Sequence, residues 1–548
     1  MKKRILLVAT SAVLAMSMLV TGCGNKTADN KNGAQASSAP VAGGKIAINL
    51  AAEPPQMNSI LTTDSTSGDV QRAVFEGLTR LGKDGKPIPG IAEKWETSSD
   101  GMKWTFTLRD AKWSDGTALT ADDFRYAIVQ LLKKDNASEY AYLGYYIKNG
   151  EEFNKGTAKE EDLGVKVLDP KKLEITLARP APFFLDLLAF HCFLPVNKAF
   201  YEKQDSGKKY GAEAANMIYD GPWMIKEWKH DDSITLVKNP NYWNAKDVKL
   251  DEIKMMMIKD TNTALNSFNA GELDMVKTLT GTQVPQVEQA GGKVTSFPDG
   301  SAWYMEFNTK DKALGNVNIR KAISAAIDRT SFTKNVLKNK SLPATSFTDP
   351  TIFGEKDSFA KEIGTLVKDN DSAAAKDFLA KGLKELGLDK APAIELIADD
   401  TDTAKRDSQA LQEMFKKNLG IDVTISNMPF KARLQKMTSK DFQMVMAGWS
   451  ADYNDPISFL DMFETGNGNN HTSYSSPDYD KLLKAAQNEK DPKKRMDTLK
   501  QMEKKLMDDM PIAPVYWRYI DYTTSSRLQG VVRQFNQDID LTWAYVTK

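Results

Sequence analysis

Side chains able to do chemistry are few in this chain, and most are isolated. Three histidines, His191, His230 and His471, lie far apart in no metal-ligand spacing, so each is expected to be structural. The two cysteines, Cys23 and Cys192, have no base placed to activate them, and no Gly-x-Ser-x-Gly elbow occurs, so nucleophilic catalysis has no visible support. ETGNGNN lacks the Gly-Lys-Ser/Thr ending of a phosphate loop, and DDTD at 399–402 lacks the other ligands and the glycine of a calcium loop. The first is expected to be a surface turn and the second a solvated turn. Neither a metal nor a cofactor is implied. One carboxylate stands apart: Asp452, in MAGWSADYNDPISFL, sits between Trp449 and Tyr453. An acid in such company is either a satisfied structural group or an unpaired charge awaiting a cation. The 10 tryptophans and 17 tyrosines gather in islands, YAYLGYY, WYMEF, AGWSADYNDP and YWRY. Rings that supply area beside a few placed charges suit a pocket for an amphiphilic ligand, and they suit core strands and helix ends equally.

The elements that must hold these residues are of mixed type. KIAINL, WTFTL, LEITL and SITLV alternate at period two and predict half-buried strands. TADDFRYAIVQLL predicts a helix capped by Thr120, with Phe124, Ala127, Ile128 and Leu131 on one face. In NIRKAISAAI the stripe is Ile319, Ile323 and Ile327. A helix through Leu411 and Phe415 should stop at Gly420 and give way to a strand with Val423 and Ile425. Near the end, Met496, Leu499, Met502 and Leu506 line a helix that Pro511 closes, a spacing expected of core packing. Such helix-to-strand joins predict α/β lobes.

At 548 residues the chain is too long for one core, and about 100–200 residues per domain suggests three or so lobes. Lys+Arg and Asp+Glu both total 73, and no basic face or run stands out, so no nucleic-acid partner is expected. MKKR followed by an apolar run to Val20 has the form of a signal peptide, placed at 1–22. VTGC resembles the lipobox of bacterial lipoproteins, which implies lipidation of Cys23. Residues 23–44 are too polar to bury and predict a flexible tether. Losing Lys2, Lys3 and Arg4 with the leader would leave an excess of three acids, too small to steer a strongly charged partner. With Cys23 lipidated no disulfide is possible within the chain, and Cys192 is expected to be a small buried hydrophobe.

VFEGLTRLGKDGKPIPGIAEKWETSSDGMKWTFTLRDAKWSDGTALTADDF resembles the N-terminal signature of the family-5 extracellular solute-binding proteins of ABC transporters. DGPWMIKEW, NPNYWN, RKAISAAIDR, AGWSADYNDPISFL and PVYWRY are most similar to the oligopeptide-binding members of peptide permeases. The resemblance implies a periplasmic-binding-protein-like type II fold of the large cluster C type: two α/β lobes that close about a hinge, and an extra α/β domain. Lobe I would comprise 45–76, 198–301 and 520–548, the extra domain 77–197 and lobe III 302–519, with hinge crossings near 301 and 519. It implies a monomeric, non-enzymatic receptor, lipid-anchored on the outer face of a Gram-positive-type cell membrane, that passes peptides to an ABC permease. A receptor specialised for dipeptides, cell-wall peptides or signalling peptides, or for a nickel or haem chelate, is the alternative.

Carried over by motif, Asp452 would bind the α-ammonium of a peptide lying extended like an added strand. Tyr140 would flank it, Trp449 and Phe430 would line side-chain pockets, and Tyr304 and Glu306 would face the cleft, with Trp517 a further contact. Tyr453 is open between wall and core. Relatives' hinge cysteines are matched by Ser301 and Ser450, and cleft cations are matched by Met446, Met437 and Ala404. The receiver of the peptide C-terminus is therefore open, with Lys436, Lys431 and Arg433 as substitutes.

Overall fold

The computed structural model describes residue 41, residues 43–536 and residues 538–548. The predicted leader, Cys23 and most of the predicted tether lie outside the described residues. Val41 is already tied down, its N–H donating to the Val546 carbonyl at 2.8 Å.

The expected strands form. The longer strands, in chain order, are β1 (Gly44–Asn49), β2 (Ala92–Thr97), β3 (Lys103–Leu108), β4 (Val165–Asp169), β5 (Lys172–Thr176), β6 (Trp223–Lys229), β7 (Ser233–Lys238), β8 (Leu250–Met256), β9 (Met275–Leu279), β10 (Val294–Phe307), β11 (Ile394–Asp399), β12 (Val423–Met428), β13 (Met444–Ser450) and β14 (Ile512–Thr524). β2 to β5 make a separate antiparallel sheet in the order β2-β3-β5-β4. The others form one large mixed sheet in the order β12-β11-β13-β10-β14-β9-β1-β8-β7-β6.

The two longest strands, β10 and β14, run through the middle of that sheet. Their antiparallel ladder is broken: Val294–Pro298 pairs with 519–523, the register slips, and Ala302–Glu306 resumes with 512–517. Gly300, in the break, has φ +66°, and a Cβ there would come within 1.9 Å of the Phe535 carbonyl oxygen, so only glycine fits the crossing. Ser301 and Ser450 are directly opposed across β10 and β13. Where a disulfide is impossible, buried packing must hold this crossing.

The helices obey their sequence signals. Thr120 caps Ala121–Leu132, and Asp123 accepts its backbone N–H at 2.8 Å. Asp402–Leu419 ends at Gly420 in the left-handed region, and Pro492–Asp509 buries Met496, Leu499, Met502 and Leu506. One apolar cluster spans most of the molecule, with Trp113 and Trp223 fully buried in it. Among the described residues no helix is long and apolar enough to cross a membrane.

Candidate functional site

Asp452 follows two residues after β13, on a turn that the sequence itself fixes. Arg495, from helix Pro492–Asp509, donates to both Asp455 oxygens at 2.7 and 2.8 Å, and the buried pair clamps the DYNDP turn. The Ser458 hydroxyl accepts the Asp452 backbone N–H at 2.9 Å, and the Ser458 carbonyl accepts the Trp449 indole N–H at 2.7 Å. Carboxylate and indole are thus set by the same residue.

Only one Asp452 oxygen is satisfied. Oδ1 accepts the Tyr140 hydroxyl at 3.2 Å, whereas Oδ2 is buried without a partner. Burial pushes the Asp452 carboxyl well above the usual range, the Tyr140 bond opposes this, and the charge of Asp538 adds to it. The residue is 8% exposed, and that remaining surface faces a cavity of about 840 Å³. The sequence left two outcomes open, and the structure shows part of each: one oxygen is satisfied and the other has no donor.

Tyr140 comes from the 77–197 segment and is braced edge-on by Phe190 and His191, with ring centroids 5.1 and 5.5 Å away. It packs on Trp449 at 6.3 Å, so the cavity is closed over by residues from distant parts of the chain. Other contacts join the same two sides. His471 Nε2 lies 3.1 Å from Glu139, the Thr438 hydroxyl donates to Glu139 at 3.1 Å, and Lys259 lies 3.3 Å from Asp400.

Of the remaining expected residues, Trp449, Phe430 and Tyr304 line the cavity with Asp452 and Tyr140. Arg433 lies over the Phe430 ring at 5.1 Å, which orients that side chain. Glu306 and Trp517 do not line it. Glu306 shares its face of β10 with Tyr304, but His471 covers it, with Nδ1 3.7 Å from the carboxylate. Trp517 points its indole N–H at the Phe347 carbonyl at 3.4 Å and packs in the core. Tyr453 is core as well, stacked on Phe183 at 4.1 Å. Among the possible carboxylate receivers, Lys436 is spent on Asp441 at 2.7 Å, and Arg433 gives its Nε to Asp399 at 2.6 Å. Lys431 is exposed on the cavity rim.

Two sequence expectations need correction. The three histidines line the cavity and are held there by bonds within the protein. His191 is held to the Thr62 carbonyl at 2.9 Å and is pushed by burial down to about 4, so it is neutral. DDTD is not a solvated turn: Asp399 and Asp400 form the ion pairs just named, because β11 ends at the cavity wall. ETGNGNN is not a plain surface turn either. Gly468 packs so tightly on Glu139 that a Cβ would come within 2.6 Å of its backbone, and Asn469 lines the cavity. Isolated residues brought together by topology left no local spacing to read. Among the described residues no cluster of histidine, cysteine and acid side chains could hold a metal.

Residues 86–471 match the model for bacterial extracellular solute-binding proteins, family 5 middle. The chain is 40% identical to the oligopeptide-binding protein OppA of Bacillus subtilis, over 100% of both chains. It is 37% identical to the dipeptide-binding protein DppE of the same organism, over 97% of both. The peptide-bound structure of OppA from Listeria monocytogenes superposes with a TM-score of 0.87 at 35% identity, covering 92% of this chain and 99% of that one. The Escherichia coli murein tripeptide-binding protein MppA, at 28% identity, superposes at 0.85 over 93% of this chain and 99% of that one. Its unliganded open form gives 0.61 over the same shares. The fold is therefore the cluster C binding-protein fold, and the arrangement described here differs from that open form.

Proposed function

Because the chain belongs to the bacterial extracellular solute-binding proteins of family 5, we propose that it captures oligopeptides between two closing lobes and delivers them to an ABC permease in the membrane. The observation that carries this reading is Asp452: its Oδ2 is a buried carboxylate oxygen without a donor, and the residue lines a large cavity. A peptide's α-ammonium supplies the missing donor. The rest of a peptide suits the rest of the cavity, since its backbone can bond along the wall while rings and water accommodate varied side chains. A volume of about 840 Å³ is in the upper range of small-ligand sites.

In this reading the lobes are 45–76 with 198–301 and 520–548, against 302–519, and 77–197 forms the extra domain. The broken β10/β14 ladder is the hinge. Closure requires contacts from both sides, and Tyr140 meeting Asp452 is one such contact. Export with lipid attached at Cys23 would hold a monomeric receptor on the outer face of the cell membrane. A narrower preference for dipeptides is the second reading, favoured by the 37% identity to a dipeptide-binding relative.

Mass spectrometry of what co-purifies with the protein from its own cells tests the reading. Peptides with free N-termini are expected, their length separating the two readings. Recovery of a sugar or a metal chelate, with no peptide, would overturn both.

A further inference from the structure

The wall facing the cavity from the C-terminal segment contains a second unsatisfied charge. Arg533, in the short strand Val532–Arg533, is 8% exposed and lines the cavity, yet its Nε, Nη1 and Nη2 are all buried without an acceptor. Its electrostatic neighbours are already committed. Asp69 is bonded to Lys277, and Asp299 accepts from Arg518 at 2.6 Å and from the Ser301 hydroxyl at 2.7 Å. Tyr522 offers only its ring face, 5.4 Å away. Of the other acids on this wall, Asp64 caps its helix through Ser67 and Asp538 is paired with Arg72. Three residues on, Asn536 gives its Nδ2 to Asp538 at 2.8 Å and leaves its Oδ1 buried without a donor.

Among the described residues, the two most deeply buried arginines are satisfied. Arg329 donates to the Pro514 carbonyl at 2.8 Å and to Ser324, and Arg320 donates to the carbonyls of Met510 and Leu314 at 2.8 and 2.6 Å. A guanidinium kept in the interior for packing alone would be expected to find carbonyls in the same way, since an unmade bond from a buried charge is costly.

We propose that Arg533 receives a carboxylate of the bound ligand, turning from the wall into the cavity it already lines, with Asn536 accepting an adjacent N–H. The cavity then has two poles, Asp452 for the ammonium and Arg533 for the carboxylate. This rests on the peptide reading above. A peptide's carboxylate comes from its C-terminus or from an acidic side chain, and the fork of Arg533 suits both.

Calorimetric titration of the lipidated protein in detergent tests it, with trialanine as free acid and as C-terminal amide, each also with a central glutamate or glutamine. For the parent protein, replacing the recognised carboxylate should weaken binding at least about tenfold, and that penalty should vanish in Arg533→Met. Loss of the amide penalty assigns the C-terminus; loss of the glutamine penalty assigns the side chain. If peptides bind but both penalties are the same in Arg533→Met as in the parent, the proposal is overturned while the peptide reading stands. If no peptide binds the parent, both fall. Should Arg533→Met not fold, Arg533→Gln serves with the same criteria.

Discussion

Removing the charge at Asp452 should cost affinity and not stability. In Asp452→Asn the shape is kept and Tyr140 still finds an acceptor, so the loss is confined to the charge that Oδ2 presents to the cavity. Breaking a buried ion pair from one side costs about 3–5 kcal/mol. Because Tyr140 already satisfies one oxygen, the low end applies, about 3 kcal/mol or roughly 150-fold in Kd. N-acetylating the peptide should cost a similar amount. Combining the two changes should add little, since both delete the same pair, and a double-mutant cycle by calorimetry reads this coupling. The empty protein should melt at the same temperature or slightly higher, because a buried carboxylate with an orphan oxygen has been removed. The pH dependence has a definite sign. Burial raises the Asp452 pKa, and an ammonium binds only the ionised form. Affinity should therefore fall as pH falls through that raised value and level off above it, with proton release on binding below it. Equal affinity of acetylated and free peptides, or additive losses in the cycle, would refute the reasoning.

Tyr140→Phe removes one hydrogen bond to the carboxylate and should weaken peptide binding by about 1.5–3 kcal/mol in the same assay. At His471 burial disfavours the charge, but the hydrogen bond to Glu139 and the charges of Glu306 and Glu139 outweigh it and raise the pKa, with Lys440 opposing. The stabilisation this histidine lends should be complete below the ordinary value of 6.5 and be lost as pH rises through the raised one. The difference in melting temperature between parent and His471→Gln, followed against pH, measures it. Gly300→Ala forces a side chain into the left-handed region against the Phe535 carbonyl and should lower the melting temperature by about 1 °C or more, the scale of more than about 1 kcal/mol in a chain of this size. Cys23→Ser should release the protein from the membrane fraction, which blotting of cell fractions detects.

The elements were legible wherever local signals decide them. Alternation at period two located β1, β3, β5 and β7, and capping and stop residues located the helices of Thr120 and Gly420. The candidate site was legible where one motif carries it: Trp449 and Asp452 lie within a few residues, although only the resemblance said what Asp452 would bind. What stayed hidden depends on topology. Glu306 on β10 is covered by His471 and Trp517 on β14 turns its indole to Phe347, and neither neighbour is adjacent in the sequence. His471 and Arg533 line the cavity from separate segments, His471 meets Glu139 from 332 positions away, and each looks ordinary in its own neighbourhood.

Peptide capture is tested most directly by titrating the protein with a panel of two- to six-residue peptides, each free and N-acetylated. The account predicts heat of binding for free peptides of varied sequence and a large loss on acetylation. Silence with every peptide, together with binding of a sugar or a metal chelate, would contradict it.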